Sequence, residues 1–180
     1  MVKSKIFKVI IAGDGGVGKT TLLHRYIEGK FLADTRMTIG VEFFIKELEI
    51  GNEKILIQVW DFGGQEQFRF LHKKYIMGAK GALLLFDLTR LSTLRHLDEW
   101  VEISREEDPN LPILFIGTKL DLSNLIVVKD SDAIEYKEKY DLFQYLKISS
   151  KTGENVKLAF QLLAREIIKN ILLSNNKESI

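Results

Sequence analysis

Lys5-Ile6-Phe7-Lys8-Val9-Ile10-Ile11-Ala12 runs into Gly13-Asp14-Gly15-Gly16-Val17-Gly18-Lys19-Thr20, and Thr21-Leu22-Leu23-His24-Arg25-Tyr26-Ile27-Glu28 follows without a break. The first stretch is rich in β-branched and aromatic residues and reads as a buried strand. From Lys19 to Glu28 the apolar residues Leu22, Leu23, Tyr26 and Ile27 fall at helical spacing. Between strand and helix stands the pattern G-x-x-x-x-G-K-[ST]. Its glycines allow consecutive backbone N–H groups to turn toward one anion without Cβ clashes. The helix that follows offers the same anion its positive N-terminal end. Lys19 has the length to reach β- and γ-phosphates, and the Thr20 hydroxyl suits a Mg²⁺ ion. The loop is therefore a phosphate cradle, but by itself it names neither the base nor the reaction.

Working outward, the chain alternates strands with helices. Val41–Ile50 and Lys54–Trp60 are β-rich and joined only by Gly51-Asn52-Glu53, which predicts an antiparallel hairpin. Gly81–Phe86 is an apolar run ending at Asp87, Ile113–Ile116 is another, and Phe143–Ile148 is the last. Ser92–Glu107 is amphipathic, with Leu94, Leu97 and Val101 on one face. Asp132 and Glu135 have capping-box spacing and predict a helix over Asp132–Tyr140. Val156, Phe160, Leu163, Ile167 and Ile171 predict a long helix capped by Asn155. The expected fold is α/β: a mostly parallel sheet covered by helices on both faces, with one antiparallel edge strand. Ligands on such sheets bind at the carboxyl ends of the strands, where the glycine loop lies. No repeat or linker divides the chain, so residues 1–173 read as one domain and 174–180 as a flexible tail.

Composition narrows the function. The 180 residues carry 26 Lys plus Arg against 25 Asp plus Glu, a net charge of +1. That balance argues against a nucleic-acid binder working by bulk charge. The absence of cysteine excludes disulfides, thiolate metal sites, a cysteine nucleophile and a thioether-linked lipid. Val2 stands where myristoylation needs glycine, and the apolar run after the first lysines is too short for a signal peptide. No apolar run has membrane-spanning length. The default expectation is a cytoplasmic protein that reaches membranes only through partners.

Four further motifs make the resemblance specific. Thr38-Ile39-Gly40-Val41-Glu42-Phe43, Trp60-Asp61-Phe62-Gly63-Gly64-Gln65-Glu66, Thr118-Lys119-Leu120-Asp121 and Ser149-Ser150-Lys151 follow the phosphate loop in order. Together they resemble the small GTPases of the Ras superfamily, most closely the Rab and Rho branches, over Phe7 to about Asn170. The resemblance implies a three-layer P-loop NTPase G domain with a six-stranded sheet. It implies a switch that binds GTP or GDP with Mg²⁺ and hydrolyses GTP slowly.

Residue by residue, the resemblance implies phosphate contacts from Gly13, Asp14, Gly15, Gly16, Val17, Gly18, Lys19, Thr20 and Thr21. It implies an aromatic edge against guanine from Phe31, with Thr35 also in the nucleotide set. Thr20, Thr38 and Asp61 would hold the metal. Thr38 and Gly64 would sense the γ-phosphate, and Gln65 would orient the attacking water, so Gln65, Lys19 and Gly64 form the expected catalytic set. Asp121 has the chemistry to accept from guanine N1–H and the N2 amine, a donor pair adenine lacks. Thr118 replaces the usual asparagine, as in Rho proteins. Lys119 would lie over the base, and Ser149, Ser150 and Lys151 would complete its pocket.

The chain departs from the family pattern at several points. Phe62-Gly63 replaces the usual Thr-Ala pair, the glycine resembling the Arf branch. Arg36 lies close to, but one residue away from, the place of a catalytic arginine in heterotrimeric G-protein α subunits, and reads as a solvated residue. No arginine in this chain is an evident source of transition-state charge, so intrinsic hydrolysis is expected to be slow and raised by an activating protein. Phe43, Trp60 and Tyr75 match an aromatic triad that Rab proteins show to effectors; core or hairpin packing explains them equally well. Effectors and regulators are the expected partners of the two switches and this surface, with the protein monomeric and without its own lipid anchor. Two other readings stay open on the residues: a nucleotide-bound scaffold without turnover, suggested by Phe62, and a P-loop ATPase or kinase, opposed by Asp121.

Overall fold

The computed structural model describes residues 5–33, 38, 40–63 and 75–177. Its strands are β1 Lys5–Ala12, β2 Val41–Ile50, β3 Glu53–Phe62, β4 Gly81–Asp87, β5 Ile113–Thr118 and β6 Gln144–Lys147. They form one six-stranded sheet in the order β2-β3-β1-β4-β5-β6. β2 pairs antiparallel with β3 at one edge, and every other pairing is parallel. The helices are α1 Lys19–Glu28, α2 Leu91–Arg95, α3 Leu97–Ser104, α4 Asp130–Lys139 and α5 Val156–Lys177. This is the α/β architecture that the alternating pattern predicts.

Side-chain alternation sorts the strands between two cores. Phe7, Val9 and Ile11 of β1 face α1 and α5, packing with Leu22, Leu23, Phe160 and Leu163. Ile10 and Ala12 face the other way, against Leu94, Leu97, Trp100 and Ala133 of α2, α3 and α4. All residues of β4 and β5 are buried, as central parallel strands covered on both faces must be. Phe160 and Leu163, almost fully buried, each contribute about 2 kcal/mol of transfer free energy to holding α5 on the sheet. Tyr26 stacks on Phe160 with ring centroids 3.7 Å apart, joining α1 to α5.

Several boundaries differ from the sequence reading. The hairpin turn is the two residues Gly51-Asn52, since Ile50 pairs with Glu53. β3 begins at Glu53 and continues to Phe62, so it runs past the predicted Trp60 and carries Asp61 next to its end. The amphipathic stretch 92–107 is two short helices broken at His96 and ending at Ser104. No glycine or proline marks that break. α4 begins at Asp130, which puts Asp132 in its first turn and not at the cap. Asp130 and Asp132 at the start and Lys137 and Lys139 at the end complement the helix dipole instead. Asn155 sits in the left-handed region at φ 58°. Its carbonyl opens α5 by accepting from Ala159 N, while its side-chain amide donates to Lys147 O and ties the helix to β6. α5 is helical through Lys177, over part of the expected tail.

β1 is the strand from which the sheet grows both ways, toward β3 and toward β4. The crevice at its carboxyl end is the switch point where such sheets bind ligands, and the glycine loop fills it.

Candidate functional site

The loop leaves β1 through Gly13 at φ 138°, where a Cβ would stand 2.2 Å from the carbonyl oxygen of Leu85. Only glycine lets the backbone pass β4 this closely. Inside the loop, Lys19 is buried, and its Nζ donates to Gly13 O at 2.7 Å and Asp14 O at 2.9 Å. Burial pushes the Lys19 ammonium down to about 8, with Asp61 and Asp14 opposing that shift. A cation is thus held under the loop by two carbonyls, short of a full counter-charge.

Three oxygen-bearing side chains meet beside it. Thr20 Oγ1 lies 2.7 Å from Thr38 Oγ1 and donates to Asp61 Oδ2 at 2.5 Å. Thr38 Oγ1 is 3.4 Å from the same carboxylate oxygen. Asp61 is fully buried, and its Oδ1 has no hydrogen-bond partner among the described residues. Burial pushes its carboxyl above the usual range, against the bonds from Thr20 and Thr38 and the charge of Lys19. One carboxylate with an unpartnered oxygen and two hydroxyls is a hard-oxygen donor set of the kind Mg²⁺ accepts beside phosphate oxygens and water.

A cavity of about 330 Å³ opens on the other side of the loop. Gly16, Val17, Gly18 and Thr21 line one side, Phe31 with Leu32 and Ala33 another, and Thr118, Lys119, Asp121, Leu122, Ser150 and Lys151 the rest. Its volume lies at the lower end of the range for small-molecule sites. Asp121 Oδ1 accepts from Ser149 Oγ at 2.7 Å. Ser149 is itself fully buried and outside the cavity lining, so it orients Asp121 from behind. Thr118 Oγ1 is 2.7 Å from Val17 O and 2.9 Å from Phe86 O. That hydroxyl, donating to one carbonyl at a time, binds the base side of the cavity to the phosphate loop. Lys119 is held at φ 64°.

The structure brings together residues of every sequence motif, although Thr35, Arg36, Gly64 and Gln65 lie outside the described residues. It turns the Asp14 carboxylate away from the cavity, toward His96 and Trp100. Phe62 is buried in the core, 6.5 Å from the ring of Tyr75. Gly63 N donates to Gly40 O at 3.0 Å, and a Cβ at Gly63 would lie 2.4 Å from Thr38 O. The two strands that lead into the switch segments therefore touch beside the metal-type cluster. On the outer face Phe43, Trp60 and Tyr75 form a continuous row, with centroids 5.7 and 5.6 Å apart.

Sequence reasoning missed Asp87. It ends β4 fully buried and accepts from Lys119 Nζ at 2.7 Å, Thr89 N at 2.9 Å, Thr89 Oγ1 at 2.7 Å and Arg90 Nε at 2.8 Å. Burial acts to raise its pKa, but these bonds outweigh it and hold the carboxyl below the usual range. A carboxylate closing a wholly apolar run was the available signal. Arg25 was also missed. Its Nη1 donates to Gly29 O at the end of α1, and its Nη2 donates to Lys151 O, anchoring the last motif.

Comparison with known proteins agrees with this geometry. The Ras family model matches residues 8–169. Among curated proteins of Arabidopsis thaliana, the chain is 38% identical to Ras-related protein RABA1c over 90% of this chain and 75% of that protein. It is 40% identical to RABA4d over 92% of this chain and 75% of that protein, and 40% identical to RABA4a over 97% and 76%. Phosphate loop, oxygen cluster and base cavity around one strand end, with a family match over most of the length, lead to one assignment. The chain belongs to the Ras family as a Rab-like small GTPase, a guanine-nucleotide switch that hydrolyses GTP.

Proposed function

We propose the following division of labour among its residues. The phosphates lie in the loop Gly13–Thr20, where backbone N–H groups and Lys19 bind them. Guanine occupies the cavity between Phe31, Lys119 and Asp121, with Asp121 accepting from the base and Ser149 fixing that carboxylate. Thr20, Thr38 and Asp61 would hold Mg²⁺, which when bound neutralises phosphate charge during transfer. The observation that carries this reading is the Thr20–Thr38–Asp61 cluster with its unpartnered Asp61 oxygen beside Lys19.

Lys19 then stabilises charge on the transferring phosphoryl group, and it is already oriented by Gly13 O and Asp14 O. Thr38 is the residue that would report the third phosphate, since its hydroxyl lies in the oxygen cluster. Gly64 would give a backbone N–H to the γ-phosphate, and Gln65 would orient the attacking water. When phosphate leaves, Thr38 loses its reason to stay, and the segments on either side of Gly40 and Gly63 relax. Effectors would read that change on the Phe43–Trp60–Tyr75 row, where Phe43 is well exposed. The test is to release the nucleotide from purified protein, identify its base, and follow single-turnover phosphate release from GTP with and without Mg²⁺. Adenine, or release independent of Mg²⁺, would overturn the assignment.

A further inference from the structure

The outer rim of the phosphate loop is held from outside, by residues that do not line the base cavity. His96 Nδ1 lies 2.7 Å from Asp14 Oδ2, and Trp100 Nε1 donates to Asp14 Oδ1 at 2.8 Å. A carboxylate is acceptor only, so the imidazole supplies the proton on Nδ1. Next along the loop, Arg90 Nη2 donates to Gly15 O at 3.2 Å while its Nε is fixed on Asp87. From the inside, Lys19 draws in the carbonyls of Gly13 and Asp14. Asp14 is therefore gripped twice, by its carbonyl from within and by its carboxylate from without. Fixing both leaves its peptide plane little freedom to turn.

The helix break has the same address. The stretch that sequence periodicity reads as one helix divides at His96, the residue that meets Asp14. Trp100 stands one turn further on, almost fully buried, on α3. A single straight helix has no need to break where neither glycine nor proline occurs. The break sets the imidazole and the indole side by side on one carboxylate.

We propose that His96 and Trp100 are positioning residues of the phosphate loop, acting through Asp14, and that the α2–α3 junction is its external brace. The brace holds the loop N–H groups converged before phosphate arrives. That convergence lowers the ordering cost of binding and slows release. The proposal rests on the phosphate loop holding the nucleotide's phosphates; retention of GDP by the wild-type chain, measured first, tests that assignment separately.

The decisive measurement is the rate at which the full chain releases a fluorescent GDP analogue in excess unlabelled GDP. His96→Ala removes a half-exposed side chain and is expected to speed release on the order of tenfold, the usual scale for a hydrogen bond to a charged group. Trp100→Phe keeps the ring bulk, loses the N–H, and shifts the rate in the same direction. His96→Gln, which keeps a side-chain N–H donor, recovers most of the wild-type rate. Combining His96→Ala with Asp14→Ala releases GDP no faster than Asp14→Ala alone. A wild-type rate for His96→Ala overturns the brace. So does failure of His96→Gln to recover, or an equal effect of His96→Ala with and without Asp14. If Asp14→Ala retains no nucleotide, the three variants that keep Asp14 decide the matter.

Discussion

The base-and-phosphate half of the site and the oxygen cluster beside it are built on opposite principles. In the first half, protein satisfies protein. Lys19 is bonded to Gly13 and Asp14, Thr118 to the loop and β4, Lys119 to Asp87, and Asp121 to Ser149. In the second half, Thr20 and Thr38 lean on one buried carboxylate that keeps an unpartnered oxygen and an upward-shifted pKa. One half is preorganised and needs only a ligand that fits. On the proposed function, the other is completed by a cation. The difference explains how one chain can keep a nucleotide of either charge state yet signal which one it holds. On the proposed function, the grip is common to both, and the oxygen cluster is where the third phosphate is sensed.

The comparison breaks most completely at Asp121. On the proposed base contacts, Asp121→Asn keeps one acceptor oxygen and turns the other into an amide donor, so guanine's N2 amine loses its partner and meets a donor, while xanthine's C2 carbonyl gains a partner. Preference for guanine over xanthine should fall on the order of 10⁴-fold in competition binding, because the preorganised half tolerates no unpaired polar group. Lys19→Ala should weaken both GDP and GTP, by about a hundredfold or more in calorimetric titration, and GTP the more, because the proposed contacts include the γ-phosphate. Lys19 also sets a pH dependence. The free site loses its ammonium proton near pH 8, while bound phosphate favours the charged form. Affinity should therefore hold steady below that pH and fall as pH rises beyond it, with proton uptake measurable on binding.

These residues were legible in the sequence because each motif is local. Glycine spacing, one lysine, and a carboxylate closing a strand are read within a few positions of each other, and the alternation of strands and helices places them at one sheet edge. What the chain did not disclose are pairings between distant elements. Asp87 with Lys119, Arg25 with Lys151, and Asp14 with His96 and Trp100 follow no period and no short motif. The helix over 92–107 divides for a reason no period shows: its apolar face is continuous, and the break falls at His96, the residue that meets Asp14 of the phosphate loop. Asp132 misled because capping-box spacing recurs one turn inside a helix whose acidic residues serve its dipole.

The oxygen cluster can be tested for its dependence on a cation through stability. Asp61 has its folded pKa raised above the ordinary 3.8. The protonated form therefore fits the metal-free fold. That contribution is present in full below the unfolded pKa and is lost as pH rises through the folded one. In EDTA at neutral pH, Asp61→Asn should melt a few degrees above the wild type. With nucleotide and Mg²⁺ the order should reverse, the wild type gaining stability that the variant cannot. A variant less stable under both conditions would mean that Asp61 is a structural residue only.

The smallest change with a directional effect is Gly63→Ala. The added Cβ would lie 2.4 Å from the Thr38 carbonyl and 3.4 Å from that of Gly40. Both contacts are backbone, so relief comes by moving the segment that carries Thr38 away from Asp61. GDP affinity should stay within about twofold of wild type, as for a substitution with no shared partners. GTP affinity in Mg²⁺ should fall by about fivefold to tenfold, the cost of displacing one charge-linked hydroxyl. The ratio of the two affinities, measured on the same preparation, separates this from a general loss of stability. A parallel fall in both would show that the two halves of the site are not independent. No change in either would show that the Thr38 segment shifts freely, and that its closure over the oxygen cluster costs nothing to undo.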